Sequence, residues 1–147
     1  MRHRSPGRPA RVLALALLLA GGALACATTQ DVRETDFAEI QRHYTKLVRW
    51  AQFDRAREFV APEALPAFEA QARRLSNVLF TDYAIRGVTF AEDGKVTAHV
   101  TYYAYQRNAL VHFAFDEEQE WTRSEGRSWR VRSTFAERDL APGEGMF

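Results

Sequence analysis

Val96-Thr97-Ala98-His99-Val100-Thr101-Tyr102-Tyr103-Ala104-Tyr105 alternates without a break. Val96, Ala98, Val100, Tyr102 and Ala104 fall on one side, and Thr97, His99, Thr101, Tyr103 and Tyr105 on the other. That two-residue period marks a half-buried strand, and Val, Thr and Tyr suit a pleated surface packed on one face. The period extends in both directions. Residues 78–90 place Leu79, Tyr83 and Ile85 in one phase and Val88 and Phe90 in the other, so Gly87 is expected to mark a bulge that restores the inward face. Glu92-Asp93-Gly94-Lys95 reads as a hairpin turn. Beyond a turn at Gln106-Arg107-Asn108, a third strand points Val111, Phe113 and Phe115 inward, with Glu117, Gln119 and Trp121 continuing that phase. After Ser124-Glu125-Gly126-Arg127, a fourth strand points Trp129, Val131 and Phe135 inward and Arg130, Arg132 and Thr134 outward.

Ahead of these strands the period is helical. Phe37, Ile40, Tyr44, Leu47, Val48 and Ala51 form one stripe, with Thr35 or Asp36 as the expected N-cap. Asp54 opens a short second helix through Val60, and Pro62 and Pro66 bound the break. A third helix is expected over about 64–75, burying Leu65, Phe68, Ala72 and Leu75 before Ser76-Asn77 stop it. Helices followed by an antiparallel meander make an α+β fold: N-terminal helices packed in a curved four-stranded antiparallel sheet.

This element order, the Phe53-Asp54 start of the second helix, the Phe59-Val60 before Pro62 and the Trp129-Arg130-Val131 strand resemble the nuclear transport factor 2-like superfamily over about residues 34–136. Members of that superfamily wrap a curved sheet around a long N-terminal helix as a cone. Cystatin-like sheets with one helix are the nearest competitor, and three expected helices favour the cone. The resemblance implies a fold and not an activity, because one fold hosts many functions.

The first 25 residues read as a signal peptide. Arg2, Arg4, Arg8 and Arg11 precede an apolar run from Val12 to Ala20, then small residues to Ala25. The run is shorter than the ~20 residues of a membrane-spanning helix. Ala23-Leu24-Ala25-Cys26 resembles the lipobox of bacterial lipoproteins, which implies cleavage before Cys26 and acylation of that single cysteine by diacylglycerol and palmitate-type chains. Ala23 stands where the lipobox usually has leucine. An ordinary signal peptide, cut nearby and leaving a free thiol, is the other reading. Ala27 rather than Asp after the cysteine implies an outer-membrane lipoprotein facing the periplasm. Residues 26–34 then form a lipidated tether, 35–136 the folded domain and 137–147 a loose tail.

Removing residues 1–25 takes away four of the 20 basic residues and none of the 19 acidic ones, so the mature chain carries 16 against 19, a net charge of −3. Nucleic-acid binding needs a concentrated basic surface and is excluded as an expectation. Arg127, Arg130 and Arg132 beside Trp129 imitate such a patch, but Glu118, Glu120 and Glu125 balance it.

Cone-type enzymes place Asp, His or Tyr inside the cone, which leads to Glu117. Pairing Tyr102 with Phe113 and Trp121 with Trp129 sets Glu117 opposite Ala98 and Ser133, and Gln119 between Val96 and Val131. Glu117 is then an inward carboxylate with small flanking side chains, room for a ligand and a pKa raised by burial. Alternatively, a bulge in Asp116-Glu117-Glu118-Gln119-Glu120 leaves it in water. Tyr83, Tyr102, Phe113, Glu117 and Trp129 are the candidate pocket residues.

On the outer face the same register sets His99 opposite Asp116 and His112 opposite Tyr103, as surface pairs. Thr101, Tyr103, Tyr105 and His112 make that face partly aromatic, a candidate homodimer or envelope-protein surface. The four histidines, His43 on the first helix among them, lack metal-ligand spacing, so no metal and no cofactor is expected. No glycine-rich phosphate loop, serine-nucleophile motif or paired-cysteine site occurs. The expected function is a lipid-anchored periplasmic binding or assembly-accessory protein without catalysis; the alternative is a small-molecule carrier or enzyme using the cone pocket.

Overall fold

A computed structural model describes residues 33–108, 111–124 and 128–138. The signal peptide, Cys26, Arg127 and the tail from 139 lie outside the described residues. The chain divides into two compact units, Met1–Glu39 and Ile40–Phe147. The described part of the first unit, residues 33–39, is helical; the architecture below is that of the second.

That helical stretch already includes Thr35 and Asp36, which were the expected caps, and helix α1 of the second unit covers residues 40–49. Its end is built from the backbone. Gln52 N–H bonds to Leu47 O and Ala51 N–H to Val48 O, both at 2.8 Å. This is the six-to-one, five-to-two pattern of a Schellman cap. The cap needs a left-handed residue, and Ala51 supplies it with φ of 52°. Ala51 is consequently exposed and off the buried stripe, because the chain has left the helix there.

Helix α2 (Phe53–Ala56) runs into a 3-10 turn, Arg57–Phe59, and a second turn, Pro62–Ala64, leads into helix α3 (Leu65–Arg74). Phe68 and Leu75 are buried and Leu65 and Ala72 partly so, as the helical spacing implies. Phe53 stacks edge-on against Phe68 at 6.2 Å and Phe80 at 6.5 Å, which fastens the short helices to the sheet.

Strands β1 (Val78–Phe90), β2 (Val96–Gln106), β3 (His112–Arg123) and β4 (Trp129–Arg138) form one antiparallel sheet in the order β1-β2-β3-β4. The α+β layout with three helices and an open four-stranded sheet is thus the observed one. At the β1–β2 turn, Gly94 takes φ of 85°, Ala91 N–H bonds to Lys95 O at 2.9 Å, and Asp93 accepts the Lys95 N–H at 3.1 Å.

In β2, β3 and β4 the inside and outside faces follow the expected phase, but the registers do not. Tyr102 pairs with Phe115 rather than Phe113, and Trp121 with Val96 and Val131 rather than Trp129. Glu117 lies between Val100 and Phe135, and Gln119 between Ala98 and Ser133. Each hairpin is displaced by two residues, and an even displacement keeps every side chain on its face. His99 accordingly meets Glu118, Asp116 meets Thr101, and His112 meets Tyr105. Val111 precedes the strand and is exposed.

β1 carries two irregularities. One falls between Ile85 and Gly87, where Gly87 signalled it; the other, between Phe80 and Asp82, had no glycine to announce it. The earlier one moves Leu79 to the outer face opposite Tyr105 and turns Phe80 inward opposite Ala104. β4 is met on its outer edge by the segment after α2: Val60 bridges Val131 in parallel, and Ala61 N–H bonds to Val131 O at 2.9 Å.

Candidate functional site

Where α1 crosses the sheet, the inward row of β3 reads Glu117, Gln119, Trp121, and all three side chains are buried. Glu117, 1 % exposed, is not opened to water by a bulge: β3 pairs continuously on both sides of it. A carboxylate held there needs donors, and four converge. Tyr44 donates to Oε1 at 2.9 Å, Tyr102 to Oε2 at 2.8 Å, Gln119 Nε2 to Oε2 at 2.6 Å, and Ser133 Oγ to Oε1. Each oxygen accepts two bonds, which fills the acceptor capacity of an ionised carboxylate.

The network continues into α1. Gln41 Nε2 donates to Gln119 Oε1 at 3.0 Å and to Thr45 Oγ1 at 3.0 Å, while Trp121 Nε1 donates to Gln119 Oε1 at 3.2 Å. Gln119 Nε2 also reaches Thr45 Oγ1 at 3.3 Å. Tyr44 meets Trp121 edge-to-face at 5.4 Å and 89°. Gln41, Tyr44 and Thr45 fall at i, i+3 and i+4, so one helical face presents all three polar groups to β3.

Burial pushes the Glu117 carboxyl above its usual value, and the bonds from Ser133, Gln119, Tyr102 and Tyr44 pull in the opposite direction. Tyr44 and Tyr102 are held well above the ordinary phenol value, first by burial and then by the charge of Glu117. Both phenols therefore remain protonated donors.

The candidate pocket residues do not form one pocket. Tyr102 and Glu117 bond directly, and the Tyr83 ring leans on Tyr102 at 6.2 Å. Phe113 lies toward the other end of β3, against Phe115 at 5.1 Å. Trp129 pairs with Arg123, six residues along β3 from Glu117 or roughly 20 Å at strand rise. The room left by the expected small neighbours is taken, because the true partners of Glu117 are Val100 and Phe135.

Two clefts remain. One, about 220 Å³, opens between α3 and the sheet, with Leu75, Val78, Phe113, Phe115 and Phe135 among its walls and Arg74 and Glu137 at its polar side. The other, about 680 Å³, runs over the outer face past His99 and Glu118. Its floor is already knit together: Thr101 Oγ1 donates to Asp116 at 2.7 Å, Arg138 bonds Asp116 at 2.7 Å, and Arg86 bonds Thr101 and Tyr103. Thr101 and Tyr103 are buried, so the outer aromatic surface is narrower than expected and rests on Tyr105 and His112. His99 lies 3.9 Å from Glu118 as an exposed pair.

Arg132 reaches Glu63 at 3.2 Å and Glu120 at 3.7 Å, and Arg130 bonds the Glu58 carbonyl, which supports a charge-balanced surface there. His43 packs on Phe59 at 5.6 Å. Among the described residues no group of His, Cys, Asp and Glu is placed to hold a metal, and no helix is long and apolar enough to cross a membrane. No known protein family, curated protein or solved structure matches the chain.

Proposed function

We propose that this chain is a lipid-anchored periplasmic binding or assembly-accessory protein, held by Cys26 at the outer membrane and not catalytic, with a nuclear transport factor 2-like domain. The observation that carries the non-catalytic reading is the saturation of Glu117. The inward carboxylate that best fitted an acid–base role spends all four acceptor positions on Tyr44, Tyr102, Gln119 and Ser133. A general base needs a free lone pair aimed at a substrate proton. Here every lone pair is taken by an internal donor, one from α1 and three from the sheet.

The anchor reading rests on the basic start, the short apolar run and the single cysteine after Ala23-Leu24-Ala25. Several acyl chains, each CH2 worth ~0.8 kcal/mol on burial, hold a chain on a membrane durably. The test is intact mass of the protein purified from native membranes, with co-purifying proteins identified in the same preparation. A chain starting at an acylated Cys26 together with a stoichiometric envelope protein supports the reading. A soluble chain with a free thiol at Cys26 overturns it.

The α3–sheet cleft favours a second reading, a small-molecule carrier. Its aromatic wall and its Arg74–Glu137 side suit a small apolar compound with one polar end. At about 220 Å³ it falls below the ~300–1,000 Å³ usual for drug-sized ligands, so only a small compound fits.

A further inference from the structure

The two edges of the sheet are unequal. β4 is bridged by Val60 and flanked by contacts from Glu58 and Glu63. β1 is the other edge; Arg49 bonds the Thr81 carbonyl near its start, and among the described residues no strand lies beyond it. It is long, and Ile85, Val88 and Phe90 of its inward row are 39 %, 40 % and 41 % exposed. An exposed apolar edge is a template for another strand.

The order of residues along that edge specifies which strand. The inward-facing residues are Val78, Phe80, Tyr83, Ile85, Val88 and Phe90, paired with alternate residues of β2 on the core face. The irregularities after Phe80 and after Ile85 make their spacings two, three, two, three and two. That series reads the same from either end. An antiparallel copy centred on Ala84 sets Val78 against Phe90, Phe80 against Val88 and Tyr83 against Ile85, all on one face, with the extra residues Thr81 and Arg86 facing Gly87 and Asp82. On the outer face the same register sets Asp82 against Arg86, opposite charges at cross-strand positions, a pairing that stabilises an antiparallel ladder. Charge and apolar pattern are both self-complementary, which an isologous two-fold contact requires.

We infer that β1 pairs with β1 of a second copy about a two-fold axis through Ala84, joining two four-stranded sheets into one. In the single chain Asp82 turns back onto the Tyr83 N–H at 2.8 Å, and Arg86 donates to Thr101 Oγ1 at 3.2 Å and to the Tyr103 hydroxyl, so its remaining guanidinium donors are the ones that pairing would use. Pairing brings Asp82 and Arg86 together across the axis. The pairing does not depend on lipidation.

The test uses the full chain with Cys26→Ser, so that an added cysteine is the only one. Facing Ala84 residues have Cα atoms ~4.5–5.5 Å apart, inside the ~4.4–6.8 Å span of a disulfide. Mild oxidation of Ala84→Cys is expected to give covalent dimer, and Thr134→Cys on the occupied β4 edge to remain monomer. Sedimentation is expected to show dimer weakened at least fivefold by Asp82→Arg or Arg86→Asp alone and restored by the two together. Monomeric Ala84→Cys at concentrations on the order of 100 μM, cross-linking through Tyr105→Cys on the outer face instead, or a double charge reversal no better than the singles overturns the pairing.

Discussion

Tyr44 on α1 donates its hydroxyl to Glu117 on β3 at 2.9 Å, across 73 positions of sequence. The bond joins the helix to the centre of the sheet at a place where both residues are buried. Removing the hydroxyl alone leaves Glu117 one donor short without changing the ring that packs on Trp121. Tyr44→Phe is expected to cost about 1–3 kcal/mol, the penalty for an under-satisfied buried group. Urea unfolding of the two proteins measures it, and a loss near zero contradicts the ionised network.

Glu117 also makes stability depend on pH. Its carboxyl titrates above the ordinary 4.5 when folded, so the folded state holds the proton that the unfolded state has already released. Its contribution is complete below the unfolded value and is lost as pH rises through the folded one. Wild-type stability minus that of Glu117→Gln is therefore expected to fall with rising pH above 4.5. A difference that grows with pH reverses the sign and refutes the assignment.

Two of the five phenols, Tyr44 and Tyr102, have folded values well above 10.0. Raised folded values mean that their contribution is present below 10 and is lost as pH climbs toward those folded values. Ultraviolet titration is expected to show these two phenols ionising only with alkaline unfolding. The Tyr44→Phe/Tyr102→Phe chain is expected to lose that late component.

Ala51 adopts φ of 52° to close the Schellman cap of α1. A left-handed conformation costs a residue with a Cβ ~1–2 kcal/mol, which glycine avoids. Part of that gain is lost to the freer unfolded chain, so Ala51→Gly is expected to stabilise by about 0.5–1 kcal/mol. Thermal unfolding reads the change, and a lower midpoint refutes the argument.

Arg132 makes ion pairs with Glu63 and Glu120 while more than half exposed. Exposed pairs of this kind are worth ~0–1 kcal/mol. Arg132→Ala is expected to cost less than about 1 kcal/mol, and salt is expected to erase the difference. Denaturation at low and high salt decides it.

Alternation made the faces legible. Val96 through Tyr105 assigned inside and outside correctly, and the same phase carried Glu117, Gln119 and Trp121 inward. The registers were not legible, because the β2–β3 connection is longer than its turn residues announce: β2 ends at Gln106 and β3 begins at His112. Gly87 revealed its irregularity, whereas the one at Thr81 is held by side chains, with Thr81 Oγ1 donating to the Tyr103 carbonyl at 3.1 Å and Arg49 bonding the Thr81 carbonyl. Gln41 gave no warning either. A glutamine on a helix reads as solvent-facing until its partner, here Gln119, is known. The site was thus half visible: the carboxylate from strand phase, its donors only from the docking of α1.

The acidic run Asp116-Glu117-Glu118-Gln119-Glu120 lies in the middle of β3, one of the two strands that pair on both sides. Before folding, those like charges interrupt what is otherwise an aromatic and β-branched stretch between strands, and charge in such a window opposes stacking with other unfolded chains. Glu117 thus has a second consequence. The carboxylate that ties helix to sheet in the finished domain also works as a gatekeeper against aggregation while the domain is still being made.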